Sequence, residues 1–116
     1  MNTPLTTPVF QILLSLTDGD RHGYAIIQDV DAATSGALVL RTGTLYNILK
    51  RLLEEGWIVE SGERPDPDED DERRRYYGLT PAGRRALQAE AQRLERMVGL
   101  ARARRLLPKP AKGDGR

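Results

Sequence analysis

The sequence feature that most constrains the fold is a helical pattern at residues 41–56 that stops at a glycine and changes at once into a strand pattern. The apolar positions of this stretch recur at i, i+3, i+4 and i+7, on one side of an α-helix; they are Leu45, Ile48, Leu49 and Leu52. Gly56 suits the left-handed position that ends many helices. The bulky and β-branched residues from Trp57 to about Ser61 then predict a strand. A helix followed directly by a strand, with one buried side, is therefore the centre of the predicted fold.

The other side of this helix carries hydroxyl groups, an amide and two cations. Its members are Thr44, Tyr46, Asn47, Lys50 and Arg51. Thr42 just before them is a predicted N-cap, because its hydroxyl can accept a backbone N–H of the first turn. Short polar groups at a helix tip suit base edges in a DNA major groove, and cations further along suit phosphates. A solvated helix face has the same composition, so the neighbouring elements must decide between the two interpretations.

Two shorter helices are predicted before this stretch. Thr7 followed by Pro8 is an N-cap with proline at the first helical position, and the apolar residues behind it predict a helix over residues 8–16. A second helix is predicted over about residues 22–36. The short apolar run at residues 37–40 predicts an extended link into the third helix.

The second half of the chain predicts a hairpin and then one long helix. Residues 74–79 form the predicted second strand, and the polar residues 62–73 form a long loop between the two strands. Thr80 followed by Pro81 repeats the signal of a cap and a proline. The helix that starts there is predicted to run to about residue 107.

A stripe of small and apolar residues follows this last helix in alternating steps of four and three, a period of 3.5 residues. The stripe consists of Leu87, Ala91, Leu94, Val98 and Ala101. A compact body of three short helices is too small to cover the stripe along its whole length. An unpaired stripe of this kind closes most simply against a second copy around a two-fold axis. These five residues are therefore predicted to hold a homodimer.

Three helices, a hairpin and a further helix are the order of a winged helix-turn-helix with an added C-terminal helix. The predicted fold class is mainly α with a small β-hairpin. We expect a DNA-binding domain over residues 1–79, a dimerisation helix over residues 80–107 and a flexible basic tail over residues 108–116. Tyr24, early in the second helix, either packs in the core or reaches a phosphate with its hydroxyl. On the third helix, the recognition helix, the predicted DNA contacts are Thr42, Thr44, Tyr46, Asn47, Lys50 and Arg51.

The charges of the predicted wing favour two different arrangements. The formal net charge of the chain is only +1, yet residues 66–72 hold six acids and no base. Arg73, Arg74 and Arg75 follow directly and are the predicted wing contacts to DNA. Because phosphates repel carboxylates, the acids either extend into solvent, which their like charges favour, or fold back on the arginines until DNA displaces them. The alternative function is a protein-interaction adaptor whose acidic wing docks on a basic partner.

Composition and missing motifs exclude several other classes of function. The chain has no cysteine and a single histidine, His22, so neither a disulfide nor a thiolate metal site is expected. No nucleophile with its base and no phosphate-binding glycine loop is present. No apolar run approaches the roughly 20 residues of a membrane span, and the first residues lack the pattern of a secretory signal. We therefore expect a cytoplasmic protein that is not an enzyme and needs no metal or cofactor.

Three motifs together resemble the PadR family of transcriptional regulators: HGY at residues 22–24, GTLYNILKRLLEEGWI at residues 43–58 and RRRYYGLTPAG at residues 73–83. The resemblance extends over about residues 5–107. It is closer to the short-chain branch, in which little more than one C-terminal helix follows the wing. It implies a homodimeric winged-helix repressor that binds a palindromic operator in double-stranded DNA. A small-molecule effector of unknown identity is a further partner that the resemblance suggests.

The resemblance also assigns roles to individual residues. Thr44 and Tyr46 match the start of the family's recognition helix and are expected to face DNA, whereas Leu45 is expected to be buried. Tyr76 and Tyr77 match the tyrosine pair of the returning wing strand. Some short-chain relatives bind flat aromatic drugs at the dimer centre with a tryptophan, and this chain has none after residue 57.

Overall fold

A computed structural model of the chain describes residues 4–61 and 75–109. The helices in these two ranges are α1 (Thr7–Ser15), α2 (Gly23–Ala33), α3 (Thr42–Glu55) and α4 (Pro81–Ala103). The strands are β1 (Arg21–His22), β2 (Ile58–Ser61) and β3 (Tyr76–Leu79). The predicted fold class is confirmed, because three helices, a small antiparallel sheet and a long C-terminal helix follow in the predicted order. The whole predicted loop, the first residue of the predicted second strand and most of the predicted tail lie outside the described residues, at residues 62–74 and 110–116.

Side chains cap the first two helices. The hydroxyl oxygen of Thr6 accepts the backbone N–H of Val9 at 3.3 Å. The cap of α1 is therefore one residue earlier than predicted, and Thr7 is the first helical residue. The imidazole Nδ1 of His22 accepts the backbone N–H of Ala25 at 3.1 Å and caps α2. The single histidine thus has a local structural role at this turn.

α3 begins without a side-chain cap, which corrects the prediction for Thr42. Arg41 occupies the N-cap position, no side-chain hydrogen bond caps the first turn, and Thr42 is already helical. The predicted end of the helix at Gly56 is confirmed. This glycine has a φ of 79°, in the left-handed region, and the N–H groups of Gly56 and Trp57 return to carbonyl oxygens of the last turn.

The sheet has three antiparallel strands in the order β1-β3-β2, one more than the predicted hairpin. β2 and β3 form the wing, with Ile58 opposite Leu79 and Ser61 opposite Tyr76. β1 pairs with the other edge of β3, where His22 lies opposite Tyr76. A strand of two residues has no alternation that a sequence could reveal. It forms because the turn before α2 runs along the free edge of β3.

The core lies between the first three helices, the wing strands and the start of α4. The stripes predicted for α1 and α3 supply most of it, and burial of each large side chain contributes roughly 1.5–3 kcal/mol. The buried residues include Ile12, Leu13, Leu16, Ile26, Val30, Leu45, Leu49, Leu52, Ile58, Tyr77 and Leu87. The buried leucines of α3 fix which of its sides can face a partner.

α4 is shorter than predicted. It starts after the predicted cap Thr80 and ends at Ala103, before the expected end near residue 107. Arg105 has a left-handed φ of 65°, and the N–H of Leu106 folds back to the carbonyl oxygen of Ala101 at 2.9 Å. This reversal ends the helix before the prolines are reached. Within residues 4–61 and 75–109, no helix combines the length and the hydropathy that crossing a membrane requires.

Candidate nucleic-acid interface

The outer side of α3 presents polar and cationic side chains to solvent. Thr44, Asn47, Lys50 and Arg51 are all exposed, while the leucines on the opposite side of the helix are buried. Steps of three and four residues lie on one face of a helix, so these four side chains form a continuous surface, which we call the α3 outer face. The structure thus brings together four of the predicted DNA contacts.

Tyr46 is not part of this exposed surface. Its side chain is half-buried against the core, and its hydroxyl lies over Gly23 at the start of α2, where any Cβ would collide with it. The placement differs from the prediction that Tyr46 faces DNA. The reason is that Gly23 leaves a recess beside α3, which the long ring of Tyr46 fills. Tyr46 therefore joins the two helices of the helix-turn-helix.

The first turn of α3 is open to solvent. Thr42 and Gly43 are exposed, no side chain caps the helix, and a Cβ on Gly43 would meet no described atom within 4 Å. Free N–H groups and the helix dipole together attract anions at a helix N-terminus. The assignment of Thr42 as a cap concealed this feature. Gly43 is the residue in the sequence that could have indicated the open turn. Glycine costs a helix roughly 0.5–1 kcal/mol relative to alanine, so a glycine in the first turn suggests that a side chain is unwanted there.

Tyr24 is 62% exposed, which decides between the two interpretations of this residue in favour of an outward position. It follows Gly23, the residue that the Tyr46 hydroxyl contacts. The start of α2 and the first half of α3 are thus neighbours. The side chain of Tyr24 is therefore open to a partner from outside the chain.

Of the three predicted wing arginines, the structure describes Arg75; Arg73, Arg74 and the acidic residues 66–72 lie outside the described residues. Nη1 of Arg75 donates to the carboxylate of Glu60 at 3.1 Å, across the two wing strands. The side chains of this pair are 42% and 41% exposed. Exposed pairs contribute at most about 1 kcal/mol. A phosphate can therefore compete with Glu60 for Arg75.

The predicted dimerisation residues on α4 divide into two groups. Leu87 is only 5% exposed and belongs to the core of its own chain, so it is not available to a partner as predicted. Further along, Ala91 is exposed, Leu94 and Ala101 are half-buried, and Val98 is 39% exposed. The core of the same chain thus covers the stripe in the first half of α4, and the stripe is partly exposed to solvent in the second half.

A groove of about 620 Å³ lies between α1, α3 and α4, with Trp57 and Arg51 among its lining residues. At its edge Glu90 is 5% exposed. Arg93 holds this carboxylate with two hydrogen bonds, of 3.0 Å from Nε and 2.5 Å from Nη2. These hydrogen bonds hold the pKa of Glu90 below its usual value; burial opposes the shift, and the backbone N–H of Leu5 adds to it.

A family model and a curated relative match this chain. Residues 12–89 match the model of the transcriptional regulator PadR-like family. The chain is also 36% identical over 88 residues to an uncharacterized 37.1 kDa protein in transposon TN4556 of Streptomyces fradiae. That match covers 76% of this chain and 23% of the relative, so the chain spans less than a quarter of the length of that protein.

Several solved structures have the same fold. A transcriptional regulator from Clostridium thermocellum has a TM-score of 0.68 at 26% identity, over 83% of this chain and 87% of that one. A PadR family transcription regulator from Clostridium difficile R20291 has a TM-score of 0.67 at 24% identity, over 84% and 97%. Bacillus subtilis PadR in complex with operator DNA has a TM-score of 0.62 at 23% identity, over 75% and 46%.

Proposed function

Since the chain belongs to the PadR-like family of transcriptional regulators, we propose that it is a DNA-binding repressor that acts as a homodimer on a palindromic operator. The family consists of transcription regulators, which confirms the expectation that this chain is not an enzyme. The proposed compartment is the cytoplasm, which suits a chain without cysteine.

The α3 outer face is the observation that carries the proposal. Thr44 and Asn47 offer hydrogen-bonding groups near the helix tip, and Lys50 and Arg51 offer cations one to two turns further along. Hydrogen bonds to base edges distinguish sequences, and cations neutralise phosphates. The uncapped first turn adds backbone N–H donors for a phosphate. A buried opposite side holds all these groups in one orientation.

The second half of α4 supports the homodimer. Its stripe is open, and Val98 is 39% exposed although Leu87, three turns earlier on the same stripe, is buried. A second copy offers an identical apolar stripe. Around a two-fold axis the two stripes cover each other, and no unpaired stripe remains to bind a third copy. A two-fold dimer carries two recognition helices in inverted orientation, which is why its operator is a palindrome.

The groove between α1, α3 and α4 supports the small-molecule effector in this proposal. Arg51 lines the groove and also belongs to the α3 outer face. A molecule bound there therefore touches a residue that is proposed to contact DNA. Release from the operator requires the effector to bind the free protein more tightly than the DNA-bound protein.

Binding to duplex DNA from upstream of the chain's own gene tests the proposal. Fluorescence anisotropy at increasing salt should show tight binding that weakens linearly on a double-logarithmic plot, with a slope set by the number of phosphate contacts. An unrelated duplex of the same length is the control and should bind more weakly. Absence of binding to both duplexes at low salt contradicts the proposal and favours the adaptor.

A further inference from the structure

We propose that Thr80 is a positioning residue that fixes the angle between α3 and α4, and thereby sets the operator spacing that a dimer accepts. This inference rests on the proposed function, because it assumes that α4 joins two copies and that α3 contacts DNA. It adds a residue that lies on neither of the two contacting surfaces.

Thr80 connects the end of α3 to the start of α4 through three hydrogen bonds. Its hydroxyl donates to the carbonyl oxygen of Gly56 at 2.7 Å and accepts the N–H of Gly83 at 3.0 Å. Its backbone N–H donates to the carbonyl oxygen of Trp57 at 3.0 Å. One residue thus caps α4 and holds the two residues that follow α3.

Gly83 shows how closely the two backbones approach. A Cβ on Gly83 would collide with the carbonyl oxygen of Trp57 and would lie 3.0 Å from Cδ1 of Leu79. The atom in the way belongs to the backbone and cannot rotate aside as a side chain would. The first turn of α4 is therefore in direct contact with the chain that leaves α3, and the left-handed Gly56 fixes the direction of that chain.

A connection of this kind transmits orientation between the two helices. Two flexible side chains in contact can slide past each other, whereas hydrogen-bonded backbones move together. In a dimer held by α4, the angle between α4 and α3 determines how far apart the two recognition helices lie. Half-site spacing in the operator follows from that separation.

Thr80→Asp separates the two roles of the hydroxyl. A carboxylate still accepts the N–H of Gly83 and suits a helix N-terminus, but it has no proton to donate to the carbonyl oxygen of Gly56. Thr80→Ser keeps both hydrogen bonds and is the matched control. Gly83→Ala is a second route to the same change, because its methyl group pushes α4 away from Trp57.

The measurement is binding to operators whose half-sites are moved together or apart by one or two base pairs. We expect Thr80→Asp to remain helical and dimeric, while its discrimination between the best spacing and its neighbours falls about fivefold, as expected for one lost hydrogen bond. Thr80→Ser should keep the wild-type profile, and Gly83→Ala should flatten or shift it. A uniform loss of affinity at every spacing would reflect the added charge alone and would overturn the inference.

An unchanged spacing profile in a folded, dimeric Thr80→Asp protein would also overturn it. Should Thr80→Asp fail to fold, the profile of Gly83→Ala decides in the same way. A wild-type protein that sediments as a monomer, or that binds all spacings equally, removes the proposed dimeric repressor together with this inference. An error in the function is thus distinguishable from an error in the role of Thr80.

Discussion

α3 and α4 are both amphipathic helices, and each keeps a surface that the described part of the chain does not cover. The surface on α3 is polar and cationic and begins at an open helix N-terminus. The surface on the second half of α4 is partly apolar, with Met97, Val98 and Leu100 exposed. Cations and hydrogen-bond donors suit phosphates and base edges, whereas apolar surface is stabilised by contact with another apolar surface. The difference agrees with the two proposed partners, DNA for α3 and a second copy of the chain for α4.

The two halves of α4 differ in burial, although they belong to one helix. Gly83, Leu87 and Glu90 in the first half are buried. Beyond Glu90 the helix continues for thirteen residues, roughly 20 Å at 1.5 Å per residue, and no residue of this second half is fully buried. The first half of the helix therefore belongs to the core, and the second half leaves the surface that we propose for the dimer contact.

The largest expected effect comes from Leu94→Asp, which places a charge in the middle of the open stripe. Burying an unpaired carboxylate costs several kcal/mol, so sedimentation velocity should show monomer at concentrations where the wild type is a dimer. Operator binding should fall with it, by about a hundredfold or more, because each half-site alone binds weakly. Gln92→Asp adds the same charge on the opposite, exposed side of α4 and should change neither property. A Leu94→Asp protein that remains a dimer would place the interface elsewhere.

Substitution of the cations on α3 should weaken DNA binding and leave the dimer intact. Lys50→Ala and Arg51→Ala should each weaken binding to all sequences and lower the salt slope by about one, since each removes one phosphate contact. Asn47→Ala differs in kind: it should relax the preference at one base position, by about 1–3 kcal/mol. Anisotropy titrations on the operator and on single-base variants measure both. The same affinity and the same preference after Asn47→Ala would refute the assignment of the α3 outer face.

Gly43→Ala should lower the affinity for the operator without lowering the stability of the fold. Alanine favours a helix over glycine by up to about 1 kcal/mol, and the added methyl meets no described atom within 4 Å. Urea unfolding should therefore show equal or higher stability. Operator affinity should fall several-fold, because the methyl group obstructs the close approach of a phosphate to the first turn of α3. Unchanged affinity would mean that DNA does not approach this turn.

The smallest effect is expected at Glu90, the last buried residue in the first half of α4. Its pKa in the folded chain is lowered from 4.5 by the hydrogen bonds from Arg93. A lowered folded pKa stabilises the fold above the unfolded pKa, and this stabilisation is lost as the pH falls through the folded value. Glu90→Gln should therefore lower the unfolding temperature at neutral pH and lose that difference well below pH 4.5. A difference that persists in acid would assign the role of Glu90 to packing.

The sequence predicts the parts of this fold that depend on a repeating pattern. The spacing of Leu45, Leu49 and Leu52 defines the buried side of α3, and Gly56 marks its end. β1 is too short to have a pattern, since it forms by pairing with β3. The stripe on α4 is visible in the sequence, but a period of 3.5 residues cannot show that Leu87 is covered by its own chain and Val98 is not. Whether a residue of the stripe is covered depends on how far along α4 the core of the first three helices and the wing extends.

The same limit applies to the candidate interface. Thr44, Asn47, Lys50 and Arg51 are exposed as expected, because they lie opposite a buried stripe. Tyr46 lies at the boundary of that stripe, and its position depends on the recess above Gly23, at the start of the preceding helix. The first turn of α3 is open because no side chain caps it. The sequence predicts a cap instead, because Thr42 stands where a capping residue is expected.

Selection of bound duplexes from a random DNA library, followed by sequencing, shows directly whether the protein recognises DNA as a two-fold dimer. We expect an inverted repeat whose half-site centres lie about one helical turn apart, because the two recognition helices then lie on one face of the duplex. The Leu94→Asp protein is the control and should select the repeat weakly or not at all. A single motif without a repeat, or no enrichment by the wild-type protein, would contradict the proposal of a dimeric, DNA-binding repressor.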